Sequence, residues 1–398
     1  MTDQDIIVRV AARGEGVTLD GRHAPFAAPG DRLASDGTVT PGPHHLAPAC
    51  RHFPRCGGCQ LQHLDDESYA AFIHDRIDGA LRAQFLATEI RPAILSPAHS
   101  RRRASLHAEL RGKQVVLGFA EAASHTLVDL AQCPVLHPDL TAILRPLRGL
   151  LAVLMKGKRR VDVQMTLVDQ GVDLVLAGIE ATGLAAAEAI SDFGAAHGIA
   201  RLAIEDHGRA ETRWEPEPAT ITLGGVAVAF PPGGFLQATA DGEAALVQAV
   251  CEMVGSPATI ADLFAGLGTF ALGVAPGARV YAAEAERDAL AALQSAAARA
   301  ERLVFAEHRD LYRRPLTVAE LSRFDAVILD PPRAGARDQA EALSECMAGV
   351  IAYVSCNPSS FARDAKVICA HGYRLDWVQP VGQFRWSTHV ELAGCFRR

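Results

Sequence analysis

The sequence from residue 234 to residue 398 predicts an α/β fold built on a parallel, doubly wound sheet. Apolar segments of strand length, such as "FDAVILD" and "GVIAYVS", alternate there with helix-like stretches such as "ERDALAALQSAAARA". Strands that alternate with helices are typical of parallel sheets covered on both faces. A glycine turn follows the first strand, in "ATIADLFAGLG". Because open α/β sheets bind ligands at the carboxyl ends of their strands, these strand ends are the candidate functional positions.

Two further regions precede this domain. Residues 1–45 alternate short β-like segments with glycines and lead into the Pro- and His-rich "TPGPHHLAPA", which predicts a small, reduced β-barrel module. Residues 46–233 combine strand-like runs, among them "VDVQMTLV" and "GVDLVLAGI", with an alanine-rich helix. This mixture predicts an α+β middle domain, followed by the third domain at residues 234–398.

The composition excludes several classes of protein. The 398 residues are 49% hydrophobic and 21% charged, which is typical of a globular chain of two or three domains. No apolar run could span a membrane and the start, "MTDQDIIVRV", lacks the order of a signal peptide, so we expect a cytoplasmic protein with no membrane partner. We also expect a monomer. The net charge of -7 means that RNA binding would require a local basic patch. The candidates are "SRRRASLH" and "MKGKRRVDV", although each alone is more typical of solvated surface.

The glycine turn "GLGTFA", residues 266–271, satisfies the dinucleotide pattern G-x-G-x-x-A. Glu284 ends the next strand, where a carboxylate can accept hydrogen bonds from the ribose of either NAD or S-adenosylmethionine. Asp262, just before the turn, would repel a pyrophosphate but suits a cationic sulfonium, so the sequence favours S-adenosylmethionine. The alternative is a turn that only packs a helix onto the sheet. A purely structural turn is less favoured because Asp310 and Asp330 follow later strands.

Two later strands end in residues suited to chemistry. "FDAVILDPPR" ends its strand in Asp330, and the two prolines fix the backbone, which predicts a rigid rim that holds a planar base beside Asp330 or Arg333. The following strand ends in Cys356, in "YVSCNPSSFARD", so both strand ends should open into one crevice. Four other cysteines lie in apolar contexts and are interpreted as small buried hydrophobic residues. They are Cys251, Cys346, Cys369 and Cys395.

A group of cysteines near the N-terminus has the density of a metal site. Cys50, Cys56 and Cys59 occur within ten residues, and "LAQCPVLHP" supplies Cys133 as a fourth thiolate. Such clustering suits a metal or an inorganic cluster better than disulfides, and buried thiols without metal are the alternative. The spacing alone does not separate zinc from iron–sulfur, although a zinc ribbon would normally show a second Cys-x2-Cys pair.

Five motifs occur together in "CRHFPRCGGCQLQH", "DLFAGLGTF", "DPPRAGA", "SCNPSSFARD" and "THVELAGCF". They resemble the RNA uracil-5 methyltransferase family over nearly the whole chain. The bacterial members of this family include iron–sulfur enzymes that act on 23S ribosomal RNA and a tRNA enzyme. The resemblance implies a class I S-adenosylmethionine methyltransferase domain, an α+β middle domain with a 4Fe-4S cluster on the four cysteines, and a shortened TRAM-type, OB-like module. It favours 23S rRNA over tRNA as the substrate.

The same resemblance assigns roles to individual residues. Cys356 is implied as the nucleophile and Glu391 as the base. The donor-binding set carried over from the family pattern is Gln237, Phe264, Thr269, Glu284, Asp310 and Asp330. This chain departs from the family at three positions, with Ala265 where Cys is frequent and with Thr239 and Thr269 where Asn is frequent.

The chemistry of uracil agrees with these roles. Carbon 5 is a poor nucleophile, so an enzyme first adds a thiolate to carbon 6, and a carboxylate later removes the carbon-5 proton. Because the base must leave its stack to reach Cys356, we expect a single-stranded loop with a flipped uridine. One rival function is an inactive cluster-bearing RNA-binding protein, against which intact Cys356, Glu391 and Asp330 argue. Another is methylation of an exocyclic amine, which often uses Asn-Pro-Pro-Tyr where this chain has Asp-Pro-Pro-Arg.

Overall fold

The computed structural model of the chain describes residues 5–112, 114–155 and 160–398, so residues 156–159 of the basic stretch "MKGKRRVDV" lie outside it. The helices are α1 (Asp66–Ala83), α2 (Pro138–Leu154), α3 (Leu184–His197), α4 (Ala240–Val254), α5 (Thr269–Gly273), α6 (Arg287–Arg299), α7 (Val318–Leu321), α8 (Arg337–Glu345) and α9 (Pro358–Ile368). The strands are β1 (Ile7–Val10), β2 (Gly16–Thr18), β3 (His23–Ala24), β4 (Arg32–Leu33), β5 (Val39–Thr40), β6 (Glu89–Ile90), β7 (Ile94–Leu95), β8 (Arg103–Arg111), β9 (Gln114–Gly118), β10 (Arg160–Val168), β11 (Gly171–Ala177), β12 (Ile199–Asp206), β13 (Arg209–Trp214), β14 (Thr220–Leu223), β15 (Val226–Ala229), β16 (Thr259–Leu263), β17 (Arg279–Glu284), β18 (Val304–His308), β19 (Ala326–Leu329), β20 (Val350–Ser355), β21 (Arg374–Gly382) and β22 (Glu391–Arg397).

Residues 5–45 form β structure in two small sheets. Strands β1, β2 and β3 make one sheet, and β4 and β5 make a separate hairpin. An isolated bridge between Ile6 and Arg32 links the two, and a small core containing Ile7 and Leu33 lies between them. Within residues 5–45 this is less than a continuous barrel ladder, so the TRAM-type barrel stays a prediction.

The middle of the chain is built on a six-stranded sheet in the order β13-β12-β11-β10-β8-β9. Strands β11 and β12 are parallel and are connected through α3, whereas the other neighbours are antiparallel. Helix α2 covers the sheet because its leucines recur at helical spacing, so that Leu140, Leu144, Leu147 and Leu151 all face the core. This sheet carries β8, whose first residue reaches the candidate site.

The C-terminal part contains a nine-stranded sheet with the order β18-β17-β16-β19-β20-β22-β21-β6, and β7 also pairs with β21. Strands β16 to β20 are parallel, as the sequence predicts, and β22 is antiparallel to both of its neighbours. The sheet is therefore mixed. The central strands are buried on both faces, so all four residues of β19 are buried apolar residues, as helix-covered parallel strands require.

The segment from α1 to β7 joins this C-terminal sheet. The predicted middle domain includes these residues, but β6 and β7 pair with β21, and α1 packs against α9. The apolar face of α1, with Tyr69, Phe72 and Ile77 buried, belongs to the same core as residues of β19 and β20. The structural unit around the C-terminal sheet therefore includes residues from both sides of the predicted boundary. None of the described helices combines the length and apolar character needed to cross a bilayer.

Candidate active site

Cys356 lies at the junction where β20 ends and α9 begins. Ser355 is the last strand residue, and the Oδ1 of Asn357 caps the helix by accepting a hydrogen bond from the Ser359 N–H at 3.1 Å. Pro358 occupies the first turn, where a missing N–H costs nothing. The Asn-Pro pair thus stops the strand and starts the helix within two residues. This leaves the half-buried thiol of Cys356 at the carboxyl edge of the sheet.

Glu391 lies beside this thiol at the start of the neighbouring strand. Ser355 pairs with Leu392, so the residues next to that pair, Cys356 and Glu391, come to the same sheet edge. Glu391 is only 3% exposed, and burial raises the pKa of its carboxyl group to about 7, against the opposing effects of Gln383 and Arg103. A buried carboxyl group that titrates near neutrality is suited to accept a proton.

Asp330 completes the edge from the other side. It follows β19, and its backbone N–H donates to the Leu263 carbonyl at 3.2 Å. Burial, followed by the charges of Glu391 and Asp262, raises the pKa of the Asp330 carboxyl group well above its usual value. Burial, followed by the charges of Glu391 and Asp330, raises the pKa of the Cys356 thiol to about 11. The thiol therefore needs a positive charge or a base nearby before it can act as a thiolate.

The predicted rim around Asp330 is connected to the cysteine loop. The carbonyl of Arg333 accepts hydrogen bonds from Asn357 Nδ2 and from Ser360 Oγ, both at 3.1 Å. The Gly335 N–H closes the turn by donating to the Pro332 carbonyl at 2.8 Å. These bonds fix the Asp-Pro-Pro-Arg loop relative to the residues that follow Cys356.

The glycine loop lies at the end of β16, beside β19. Gly266 N–H donates to Glu284 Oε2 at 2.8 Å, while the other carboxylate oxygen of Glu284 accepts from two backbone N–H groups in its own turn. Gly268 has a φ of +93°, and an added Cβ would lie 2.4 Å from Leu293, so this position requires glycine. Thr269 begins α5 immediately afterwards.

The remaining predicted donor residues surround the same loop. The Phe264 ring lies 5.5 Å from that of Tyr312, and Asp310 Oδ1 accepts the Tyr312 N–H at 3.0 Å. On the opposite side, Gln237 Nε2 donates to Asp330 Oδ2 at a long 3.4 Å. Asp262 is fully buried, its carboxylate oxygens have no hydrogen-bond partner among the described residues, and burial raises the pKa of this group to about 7. It lies beneath the loop rather than at its surface.

One cavity of about 450 Å³ connects the thiol of Cys356 to the N-terminal cysteine group. Around Cys356 it is lined by Arg333, Phe384 and His389, and at its other end by the four predicted metal ligands. These ligands are Cys50, Cys56, Cys59 and Cys133. The structure therefore brings together residues that are more than 70 positions apart in the sequence, and it places them next to the candidate nucleophile.

The arrangement of the four thiols bears on the kind of metal that they could hold. Burial is the main cause that raises the pKa of Cys56, of Cys133 and of Cys59, the last to about 12. Within the described residues, the groups whose ligand atoms all lie within 4.8 Å of one another include no trio of these cysteines. A zinc ion with bonds of about 2.3 Å would draw tetrahedral sulfurs to roughly 3.8 Å from each other. The thiols are thus gathered around one cavity but are not arranged as a zinc tetrahedron.

The structure corrects the interpretation of "SRRRASLH" as solvated surface. Arg102 is 7% exposed and forms an ion pair with Glu243 at 2.5 Å. Arg103 lies with its guanidinium 4.5 Å from the centroid of the Phe235 ring, and burial lowers its pKa to about 10 despite the charges of Glu391 and Cys356. The run of arginines in the sequence indicated basic character, but only the fold shows that Arg103 reaches the site.

Comparisons with known proteins identify the family of this chain. The family model for tRNA (Uracil-5-)-methyltransferase matches residues 226–398. A chain of Zymomonas mobilis named as an uncharacterized RNA methyltransferase is 49% identical, over 98% of this chain and 99% of the relative. The 23S rRNA (uracil(1939)-C(5))-methyltransferase RlmD of Pectobacterium atrosepticum is 31% identical, over 90% of this chain and 81% of that protein. This chain belongs to the RNA uracil-5 methyltransferase family.

A solved structure extends the likeness to the fold. The tRNA (uracil-54, C5)-methyltransferase of Pyrococcus abyssi, in complex with S-adenosyl-L-homocysteine, has a TM-score of 0.75 and 24% identity, over 99% of both chains. The predicted class I methyltransferase fold is therefore confirmed, with a mixed sheet. As a member of the RNA uracil-5 methyltransferase family, this chain is an RNA methyltransferase that uses S-adenosylmethionine, as the glycine loop predicts.

Proposed function

We propose that this chain methylates carbon 5 of a specific uridine in 23S rRNA, with Cys356 as the nucleophile and Glu391 as the base. The observation that supports this most directly is the convergence of Cys356, Glu391 and Asp330 at one sheet edge, next to the glycine loop. Methylation of an exocyclic amine would need no thiol at this place. The three side chains together provide what carbon-5 chemistry requires.

The first step is the addition of the Cys356 thiolate to carbon 6 of the flipped uracil. The carbon–sulfur bond forms, and the electrons of the carbon 5–carbon 6 double bond move toward the carbon-4 carbonyl oxygen, so that carbon 5 becomes nucleophilic. When bound, S-adenosylmethionine would supply the methyl group, its methyl–sulfur bond breaking as the bond to carbon 5 forms and S-adenosylhomocysteine leaving. Its sulfonium charge would oppose the field of the carboxylates that raise the pKa of Cys356. Asp330 and the rim that follows it hold the base edge-on beside the thiol.

The last step is assigned to Glu391. After carbon 5 has taken up the methyl group, it still carries a proton, and the Glu391 carboxylate removes it. The electron pair of that carbon–hydrogen bond restores the double bond, and the Cys356 sulfur leaves as a thiolate. A pKa of about 7 allows Glu391 to accept this proton and to release it to solvent near neutral pH.

We assign the donor site to the six residues expected from the sequence. Gln237, Phe264, Thr269, Glu284, Asp310 and Asp330 surround the glycine loop or the sheet edge beside it. Asp262 lies fully buried beneath this loop, so it is left out of the set that contacts the donor.

We further propose that Cys50, Cys56, Cys59 and Cys133 hold a 4Fe-4S cluster. The four thiols line one cavity, which supports a shared inorganic group, and the family resemblance favours a cluster over zinc. When bound, the cluster would brace the wall of the cavity opposite Cys356. No step of uracil methylation requires an electron, so its role is structural.

The choice of 23S rRNA follows the 31% identical relative, whose name specifies uracil 1939 of that RNA. The flipped uridine is expected in a single-stranded loop, because Cys356 is half-buried behind the rim. The test is to incubate the protein with 5-fluorouridine-substituted 23S rRNA and tRNA and to look for a covalent complex. A complex with rRNA alone is expected. A complex with tRNA alone would show that tRNA, and not 23S rRNA, is the substrate. If neither RNA formed a covalent complex, the proposed mechanism would be overturned.

A further inference from the structure

We propose that Gln383 is a positioning residue of the methyl-transfer site, which ties the donor-binding Gln237 to the base Glu391 through one side-chain amide. This inference rests on the function proposed above and adds a residue to it. Gln383 follows β21 directly and is 1% exposed, so its hydrogen bonds form away from water.

The contacts of Gln383 leave one orientation for its amide. Its Oε1 accepts a hydrogen bond from the Ala238 backbone N–H at 2.8 Å. Its Nε2 lies 2.8 Å from Gln237 Oε1 and 3.0 Å from Glu391 Oε2, and it donates to both. A backbone N–H can only donate, so the amide oxygen must face Ala238 and the NH2 group must face the other two. All hydrogen-bonding positions of the NH2 group are then used.

This orientation determines that of Gln237. Because the amide oxygen of Gln237 accepts from Gln383, its own NH2 group points toward Asp330, at 3.4 Å from Oδ2. The side chain proposed to bind the methyl donor is therefore presented with its N–H groups toward the crevice. Without Gln383 the Gln237 amide could rotate and present its oxygen instead of its NH2 group to the crevice.

The same amide acts on Glu391. A hydrogen bond from a neutral donor favours the ionised carboxylate and opposes the effect of burial. The charged groups that face Glu391 from other strands are Arg103, which favours the ionised form, and Asp330 and Cys356, which oppose it when they are negative. Gln383 donates directly to the carboxylate oxygen, so it fixes the direction of the base and lowers the proton affinity that burial raises.

The test compares Gln383→Met with Gln379→Met. Gln379 is a matched control, since it is a buried glutamine of β21 whose Nε2 donates to the Pro92 carbonyl at 2.9 Å, away from the site. Calorimetry without RNA measures the affinity for S-adenosylmethionine, and a quench series on substrate RNA measures how the rate of adduct resolution depends on pH. For Gln383→Met we expect about three- to tenfold weaker donor binding, as one lost hydrogen bond predicts. We also expect the midpoint of the pH profile to move to higher pH. In Gln379→Met, the affinity for S-adenosylmethionine and the pH midpoint should both stay near the wild-type values.

A purely structural role would lower thermal stability alike in both variants and would leave the pH midpoint in place. Equal donor affinity and an equal midpoint in the two variants would overturn the inference. If Gln383→Met does not fold, Gln383→Asn keeps the amide but shortens its reach, and the same two shifts are expected. Failure of the proposed function is seen separately, because the wild type itself would then form no adduct with RNA, whereas the calorimetry needs no RNA.

Discussion

Ser355 pairs with Leu392 across two antiparallel strands, and this pair places Cys356 and Glu391 together at the carboxyl edge of the sheet. Cys356 directly follows β20, and Glu391 is the first residue of β22. The two strands themselves therefore position both functional side chains, without a long loop. The arrangement couples them electrostatically, because the Glu391 carboxylate contributes to the raised pKa of the Cys356 thiol. Their separate roles can be distinguished by substitution.

Cys356→Ala should abolish both methyl transfer and adduct formation while leaving the affinity for S-adenosylmethionine nearly unchanged, since the thiol is assigned to the base and not to the donor. A gel with 5-fluorouridine RNA and a calorimetric titration measure the two effects. Cys369→Ala is the matched control, because Cys369 lies at the other end of α9. Residual turnover near the wild-type rate in Cys356→Ala would remove the covalent mechanism.

Glu391→Gln should stall the reaction after methyl transfer. The glutamine can still accept a hydrogen bond from Gln383 but cannot take the carbon-5 proton, so the thiolate cannot leave. A methylated covalent adduct should then accumulate on ordinary RNA, visible as a slow band in a denaturing gel with labelled donor. Normal turnover, or loss of activity without this band, would mean that another group is the base.

The stability of the protein should depend on pH through Glu391. Its pKa is about 7 in the folded chain, against a usual 4.5, so between these values the folded state holds a proton that the unfolded state has lost. The contribution of this group to the free energy of unfolding therefore falls by about 3 kcal/mol as pH rises from about 4.5 to about 7. Urea unfolding at pH 5 and pH 7.5 should show a smaller decline for Glu391→Gln. The exposed Glu345→Gln should decline as the wild type does.

Protein purified without oxygen should be brown and contain iron and sulfide, and Cys59→Ser should lose both, because Cys59 is one of four thiols around the shared cavity. Metal and sulfide analysis measures the content. Cys251→Ser is the control, since Cys251 instead donates to the Gly273 carbonyl. Stoichiometric zinc without iron would contradict the cluster assignment.

Arg102→Met should destabilise the fold by about 3 kcal/mol, because Glu243 would remain as a buried carboxylate without its partner. Arg103→Met removes the neighbouring arginine, for which the described residues show no ion pair within 4.0 Å, and should change stability much less. Denaturant unfolding of both variants measures the difference. Similar losses would show that the Arg102–Glu243 pair is not the source of the effect.

The strand-end residues could be predicted because each follows an apolar run directly in the sequence. Asp330 and Cys356 directly follow neighbouring parallel strands, and the rule that such strand ends share an edge is sufficient to bring them together. Glu391 could not be placed in this way. Its antiparallel strand has no local pattern that separates it from a surface strand, so its assignment depended on the family resemblance.

Gln383 and Arg103 were missed for a different reason. Gln383 is 146 residues from Gln237, and a glutamine before an aromatic residue carries no signal of its own. Arg103 comes from the sheet of the middle region, and its approach to Glu391 depends on how two sheets pack. Sequence periodicity describes single elements, whereas these contacts arise between elements that are distant in the chain.

Because β6 and β7 pair with β21, they can complete the sheet only after β21 has been synthesised. Thr88 Oγ1 donates to the Leu375 carbonyl, 287 residues later, at 2.8 Å. At the usual pace of bacterial synthesis, the edge of the sheet must wait roughly 15 to 60 s for its partner strand to be made. Helix α9, which packs on the apolar face of α1, is also made only near the end of that interval, so a nascent chain halted before Pro358 should be a client for chaperones, whereas the complete chain is not.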